Sequence, residues 1–340
     1  LNFAPPDGKT GREMVMRRSF GRSPLAALTL AALLLALGTG SSRAADKLRV
    51  GKAIAGPIDF TPLDIGMEKG FYQKRGLDIE EVNFAGSAKL QQGLGAAAVD
   101  IGLGSGPELV FVAKGNSDLG IAAFAGPPAG LVMVVREGLP IDKPTDLKGK
   151  KISVSTVGGL TDWMVHEASR YLGWGPEGIQ AVPLGTNAAQ IAAMETGQID
   201  GMMIDVAGAA KLAEEHKAKI IMRCSTFVPE FINHVTFATN KIIAAHPDQI
   251  RAFLAGWFET VAWMRKNKDE TVKLAAPVMH QPLAIAASAY DEVMPSLSDT
   301  GKFDPKGLAV LARSFVETKQ LPAEPDMSKL YTEKFLPGAK

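Results

Sequence analysis

The chain has 340 residues, 46% of them hydrophobic and 21% charged, with a formal net charge of +1 and one cysteine, Cys224. That balance excludes a strongly basic nucleic-acid face or membrane-docking patch, and a lone cysteine excludes an internal disulfide framework. Residues 1–13 carry no fold signal, and Met14 or Met16 is a candidate start. Arg17, Arg18 and Arg22 then precede an apolar run, Leu25 to Leu37, and Ser42-Arg43-Ala44 puts small residues at the −3 and −1 positions. This pattern predicts a signal peptide over residues 1–44, cut after Ala44, with export to the periplasm. Arg17-Arg18-Ser19-Phe20 is weakly similar to a twin-arginine signal, and Sec-type export is the preferred reading. The run is too short to cross a bilayer comfortably, and no later segment approaches ~20 apolar residues, so no direct membrane insertion is expected.

Residues 1–44 hold six Lys/Arg and two Asp/Glu, which leaves the remainder at net charge −3. That remainder is longer than one core usually serves, so two lobes are expected. The first begins with a strand at Leu48-Arg-Val-Gly-Lys-Ala-Ile and a loop over 55–60. Thr61-Pro62 reads as a cap and start for a helix ending near Gly70. A strand from Leu77 to Phe84, a helix through Ala98 and a strand at Val99-Asp100-Ile101-Gly102-Leu103 follow.

The same order returns one hundred residues later. Lys151 to Ser155 alternates as a strand, Gly158-Gly159 breaks it, and Thr161 to Leu172 has helical spacing. A strand over 179–184, a helix over 187–196 and a strand at Ile199-Asp200-Gly201-Met-Met-Ile204 complete the second copy. The fold class that follows is α/β: two similar α/β lobes joined by two crossing segments, with a ligand cleft between them. Parallel strands alternating with helices place the strand-to-helix loops at the carboxyl edge of each sheet, where such sheets bind ligands. The expected cleft loops are 55–60, 104–106, 156–161, 185–187 and 205–207, rich in Gly, Ser, Thr, Asn and Asp. At Gly159, Leu160 and Thr161, free backbone N–H groups at a helix start are suited to an anionic or electronegative group. From Asn240 the chain reads as helical, with an apolar stripe from Ile250 to Val261 that is expected to be core.

Signals for catalysis are thin. His166-Glu167-Ala168-Ser169-Arg170 lacks the second histidine of a zinc-protease helix, and the five histidines show no ligand spacing. Gly102-Leu-Gly104-Ser105-Gly106 fits neither a nucleophile elbow nor a dinucleotide loop. Cys224 follows an apolar strand and reads as buried filler. His234 reads equally as a hinge residue or a ligand contact. No catalytic residue, metal or cofactor is expected, and the chain is read as a non-enzyme.

Leu48-Arg-Val-Gly, Glu68-Lys-Gly-Phe-Tyr-Gln-Lys-Arg-Gly-Leu-Asp-Ile79, Asp146-Leu-Lys-Gly-Lys-Lys-Ile-Ser-Val154, Gly197-Gln-Ile-Asp200 and His246-Pro-Asp-Gln-Ile-Arg-Ala-Phe253 resemble ABC-transporter solute-binding proteins of the nitrate/sulfonate/taurine (NitT/TauT) type. The likeness runs in order to Leu330-Tyr-Thr-Glu-Lys-Phe-Leu-Pro337. It implies a type II periplasmic binding protein, with lobe one at 45–132 and 237–340, lobe two at 133–236, and crossings near 130–136 and 233–239. It also implies ligand contacts at Asp59, Phe60, Ser105, Thr156 to Thr161, near Asp205 and at Asn233-His234, and Asn187 is a further candidate from its place in the 185–187 loop. The implied role is capture of a small-molecule solute (a sulfonate, nitrate, carboxylate or related compound) by a monomer that hands it to the membrane permease of an ABC importer. An enzyme on the same fold, such as a pyrimidine-precursor synthase, and a ligand sensor are the alternatives.

Overall fold

The computed structural model describes residues 46–339, so the expected signal peptide and its cleavage site lie outside the described residues. Ten strands form two five-stranded mixed sheets. The first holds β1 (Asp46–Lys52), β2 (Leu77–Asn83), β3 (Ile101–Ser105), β4 (Asp118–Ala125) and β10 (His234–Thr239), in the order β2-β1-β3-β10-β4. The second holds β5 (Leu131–Arg136), β6 (Lys151–Val154), β7 (Gln180–Pro183), β8 (Gly201–Asp205) and β9 (Ala218–Arg223), in the order β7-β6-β8-β5-β9. The two orders are the same pattern. In each, the first three strands pair in parallel, and the fourth position is an antiparallel strand supplied by the other half of the chain.

The repeat seen in the sequence has a physical basis at its aspartates. Asp100 Oδ2 accepts from the Arg49 backbone N–H at 3.1 Å, and Asp200 Oδ2 accepts from the Lys151 N–H at 2.8 Å. Each carboxylate, just ahead of β3 or β8, thus ties that strand to β1 or β6, the strand flanked on both sides by parallel neighbours. Helices α1 (Thr61–Glu68) and α2 (Ser87–Gly95) join the parallel strands of the first sheet, with the short α3 (Leu109–Ala113) leading into β4. In the second sheet α4 (Leu160–Tyr171), α5 (Asn187–Glu195) and α6 (Val206–Glu214) do so.

Two expectations need correction. The segments proposed as crossings are strands β5 and β10; the chain changes sheet just before each, at residues 126–130 and 224–233. Val132-Met-Val-Val135 and Val235 to Ala238 are buried on both sides, as interior strands must be. Thr61 is also not the helix cap. Phe60 holds that position, while Thr61 is the first helical residue and its hydroxyl donates to the Ile58 carbonyl at 2.8 Å.

From Asn240 on, the described residues form no further named strand. Helices α7 (Asn240–Ala245), α8 (Pro247–Lys266), α9 (Lys268–Met279), α10 (Leu283–Val293) and α11 (Pro305–Glu317) wrap the sheets already built. The α8 stripe of Ile250, Phe253, Leu254, Trp257 and Val261 is fully buried, and Pro247 starts the helix where its missing N–H costs nothing. No described helix is long and apolar enough to cross a membrane.

Candidate functional site

The pocket forms where the carboxyl ends of β1, β3, β6 and β8 face one another, and about 640 Å³ there is free of protein atoms, part of it open to solvent. On the first-sheet side a single 3-10 turn, Ile58–Phe60, presents Asp59 and Phe60. Asp59 Oδ2 lies 2.8 Å from His234 Nε2, and His234 Nδ1 lies 3.1 Å from the Gly104 carbonyl oxygen. A carbonyl only accepts, so Nδ1 carries a hydrogen; the Nε2–Oδ2 contact then holds one further proton between the two groups. The imidazole stacks on Phe124 at 5.2 Å and meets Phe60 at 4.7 Å, so it is held on both faces as well as at both nitrogens. His234 heads β10, and its backbone pairs with Ser105 of β3.

Ser105 is set by a carboxylate beneath it. Glu108 Oε1 accepts from the Ser105 N–H at 2.8 Å and its hydroxyl at 3.0 Å, while Oε2 accepts from Gln91 at 2.9 Å. A side chain on Gly104 would lie 2.5 Å from Glu108 Oε2, so glycine there makes room for this arrangement. Glu108 is fully buried, and that burial pushes its carboxyl up to about 7 against the donors from Gln91, Ser87 and Ser105. Asp118 lies in the same interior, raised to about 7 by burial and then by the Glu108 charge.

On the second-sheet side the loop after β6 folds onto α4. Thr161 Oγ1 accepts from the Ser155 N–H at 3.0 Å, and Asp162 Oδ2 accepts from the Gly158 N–H at 2.8 Å. Asp162 is therefore spent on its own loop. Asp205 ends β8 and caps α6, its Oδ1 accepting from the Gly208 N–H at 2.9 Å. Burial raises its carboxyl above the ordinary range and the Asp59 charge adds to this, against the N–H donors of the helix start.

Of the residues expected from sequence, Asp59, Phe60, Ser105, Leu160, Thr161, Asn187, Asp205, Asn233 and His234 line this pocket together. Thr156 and Gly159 do not line it. Thr156 Oγ1 accepts from the Ala88 N–H of α2 at 3.1 Å, which ties the rims of the two sheets to each other. Gly159 is the cap of α4, packed against Ser87 and Thr156. Sequence reasoning missed Gly86-Ser87, Gly130-Leu131 and Met203. The first pair was legible in principle: Gly86 starts α2 as Gly159 starts α4, and the internal repeat relates those two turns.

A protein of Brucella abortus (strain 2308) named as a binding protein is 25% identical to this chain over 214 residues. The match covers 62% of this chain and 65% of that protein, so the chain spans just under two thirds of the curated relatives' length. The Saccharomyces cerevisiae 4-amino-5-hydroxymethyl-2-methylpyrimidine phosphate synthase THI13 is 29% identical over 161 residues, 46% of each chain. The periplasmic aliphatic sulphonate binding protein SsuA from Escherichia coli superposes with a TM-score of 0.68 at 21% identity, over 84% of this chain and 92% of that one. The periplasmic-binding-protein fold expected from the motifs is thus the fold observed. The sequence profile described as NMT1/THI5 like matches residues 58–271, which take in every strand but β1 and every pocket residue but Ala53, Ile54 and Pro57; the chain belongs to that family.

Proposed function

We propose that the protein is a periplasmic solute receptor of an ABC importer, which captures a small molecule between its two lobes and presents the closed form to a membrane permease. The observation that carries this is the pocket itself, built from the carboxyl ends of two look-alike sheets whose rims meet at Thr156 and Ala88. Two rigid sheets joined by only two crossing segments are suited to hinge closure, and a solute in the gap favours the closed form by its differential contacts. The likeness to SsuA in fold and to the Brucella binding protein in sequence supports this reading.

An enzyme on the same frame is the second reading, motivated by the His234–Asp59 pair and the likeness to THI13. The geometry weighs against it. Both ring nitrogens of His234 are already engaged, and Cys224 is buried, its thiol pushed well up by that burial. Small-angle scattering with and without a solute fraction, followed by mass spectrometry of what is retained, tests the receptor. A smaller particle with an unaltered solute is the expected result; release of a chemically changed solute would replace it with the enzyme.

A further inference from the structure

Among the described residues, no lysine or arginine lines the pocket. Lys52 is the buried cation nearest in sequence to the first-sheet loop, and its ammonium is paired with Asp64 at 2.8 Å and Glu81 at 2.9 Å. His234 donates outward from neither nitrogen, because both face protein oxygens. The pocket's acceptors, by contrast, are left over. Asp205 uses Oδ1 on Gly208 and meets no cationic side chain among the described residues. Asp59 uses Oδ2 on His234. Asn233, which is 2% exposed and lines the pocket, has an amide oxygen with no partner among the described residues. A buried acceptor without a donor costs free energy until something supplies one.

The backbone around these oxygens is built to keep them in place. Asn233 donates its N–H to Ala125 O and Gly126 O, and its carbonyl accepts from Gly106 N–H. Gly130 lies between the two carboxylates: it is bonded through its carbonyl to Val206 N–H, next to Asp205. A side chain there would come 3.5 Å from Asp59 Oδ1 and 2.8 Å from Val293. Glycine at 130 therefore leaves the space beside Asp59 open.

Resting on the receptor reading above, we infer that the solute carries a hydrogen-bond-donating cationic head, a protonated amine or amidinium, seated against Asp205, Asn233 and the second oxygen of Asp59. A small anion would meet the unpaired Asp205 carboxyl and an Asp59–His234 pair that is neutral as a unit, with no described lysine or arginine at that end. Helix α4 begins without a side-chain cap at Gly159, whereas at α2 the Ala88 N–H is already taken by Thr156, so an acidic group elsewhere on the solute is compatible with the start of α4; the cationic head is what the Asp205 end selects.

The test uses the protein with three probes of one carbon length, butylammonium, butanesulfonate and butanoate, together with nitrate, read by titration calorimetry and thermal shift. Butylammonium is expected to bind roughly 30-fold more tightly than either four-carbon anion, the effect of completing rather than opposing a desolvated charge pair. Asp205→Asn keeps the helix cap, since asparagine caps as well as aspartate, so the variant is expected to fold. It should lose roughly 30-fold in butylammonium binding and gain in butanesulfonate binding. Tighter binding of an anion than of butylammonium, with compaction in scattering, overturns the cationic head and leaves the receptor standing. Unchanged butylammonium binding by Asp205→Asn also overturns it. Failure of all four probes overturns it as well, and the receptor reading falls with it only if a mixed solute extract produces no compaction.

Discussion

His234 is the side chain on which the first-sheet wall depends. It is 7% exposed and Asp59 8%, so removing either partner leaves a buried group without its counterpart. His234→Phe keeps the ring between Phe60 and Phe124 yet strands the Asp59 carboxylate. Its unfolding free energy in urea should fall by about 3 kcal/mol, and adding Asp59→Asn should recover part of this, as expected for a paired rather than additive contribution. Glu108 makes a prediction of opposite sign with pH. Its folded carboxyl is raised to about 7, so the folded state holds a proton that the unfolded chain has released. Stability from that proton is fully present below about pH 4.5, the unfolded value, and is lost as pH rises toward 7. Glu108→Gln should therefore flatten the fall in melting temperature between about pH 4.5 and 7, leaving the contribution of Asp118. A slope equal to that of the parent protein would remove Glu108 from the account. At this scale the sequence was informative where small polar residues followed strands, as at Ser105 and Asp205. It was silent on Glu108, whose role comes from burial and from the partners it meets across the chain, neither of which has a local signature, and it reached Asn233 only through the family resemblance.

The elements show the same division. The two copies of strand, loop, helix and strand were legible because local periodicity and glycine punctuation mark them, and the aspartates at 100 and 200 recur because each holds the first strand of its copy, β1 or β6. The exchanged strands β5 and β10 were not legible as such. Their apolar runs announce buried strands, but which sheet takes them is decided by pairing over long separations, His234 with Ser105 and Leu131 with Asp205. The helical tail reaches the site through packing alone. Trp257 of α8 meets Phe124 edge-on at 4.9 Å, and Phe124 in turn stacks on His234. Trp257→Ala should cost about 3–5 kcal/mol of stability, the usual penalty for emptying a fully buried aromatic site. It should also weaken solute binding, because Phe124 loses the support that fixes the imidazole. Trp257→Phe, which keeps a ring on Phe124, should restore most of the binding. Equal binding by both variants would separate the tail from the site.

In the whole molecule, the two sheets are held face to face by contacts of unequal strength. The Ala88–Thr156 hydrogen bond and the packing of α10 on α6 lie close to the pocket. Two ion pairs lie further out: Arg170 of α4 with Glu317 of α11, and Arg223 at the end of β9 with Glu292 of α10. Each joins the second-sheet half to a helix of the C-terminal tail. All four side chains are partly exposed, so each pair is worth about 0.2–1 kcal/mol and is weakened by salt. Bonds of that size suit a hinge, since they bias closure without preventing release. If both form only when the lobes meet, Arg170→Gln with Arg223→Gln should shift the unliganded protein toward a larger radius of gyration. It should also weaken solute affinity by roughly fivefold, with most of the change in the dissociation rate. Raising salt should weaken the parent protein's affinity and leave the double variant's nearly unchanged. Lys268→Gln is the control, because its partner Asp291 lies on α10, the helix that packs directly against its own, and the pair does not join the two halves. Its binding and scattering should match the parent. A double variant indistinguishable from that control would place the whole of the closure energy in the pocket and in the apolar seam between α6 and α10.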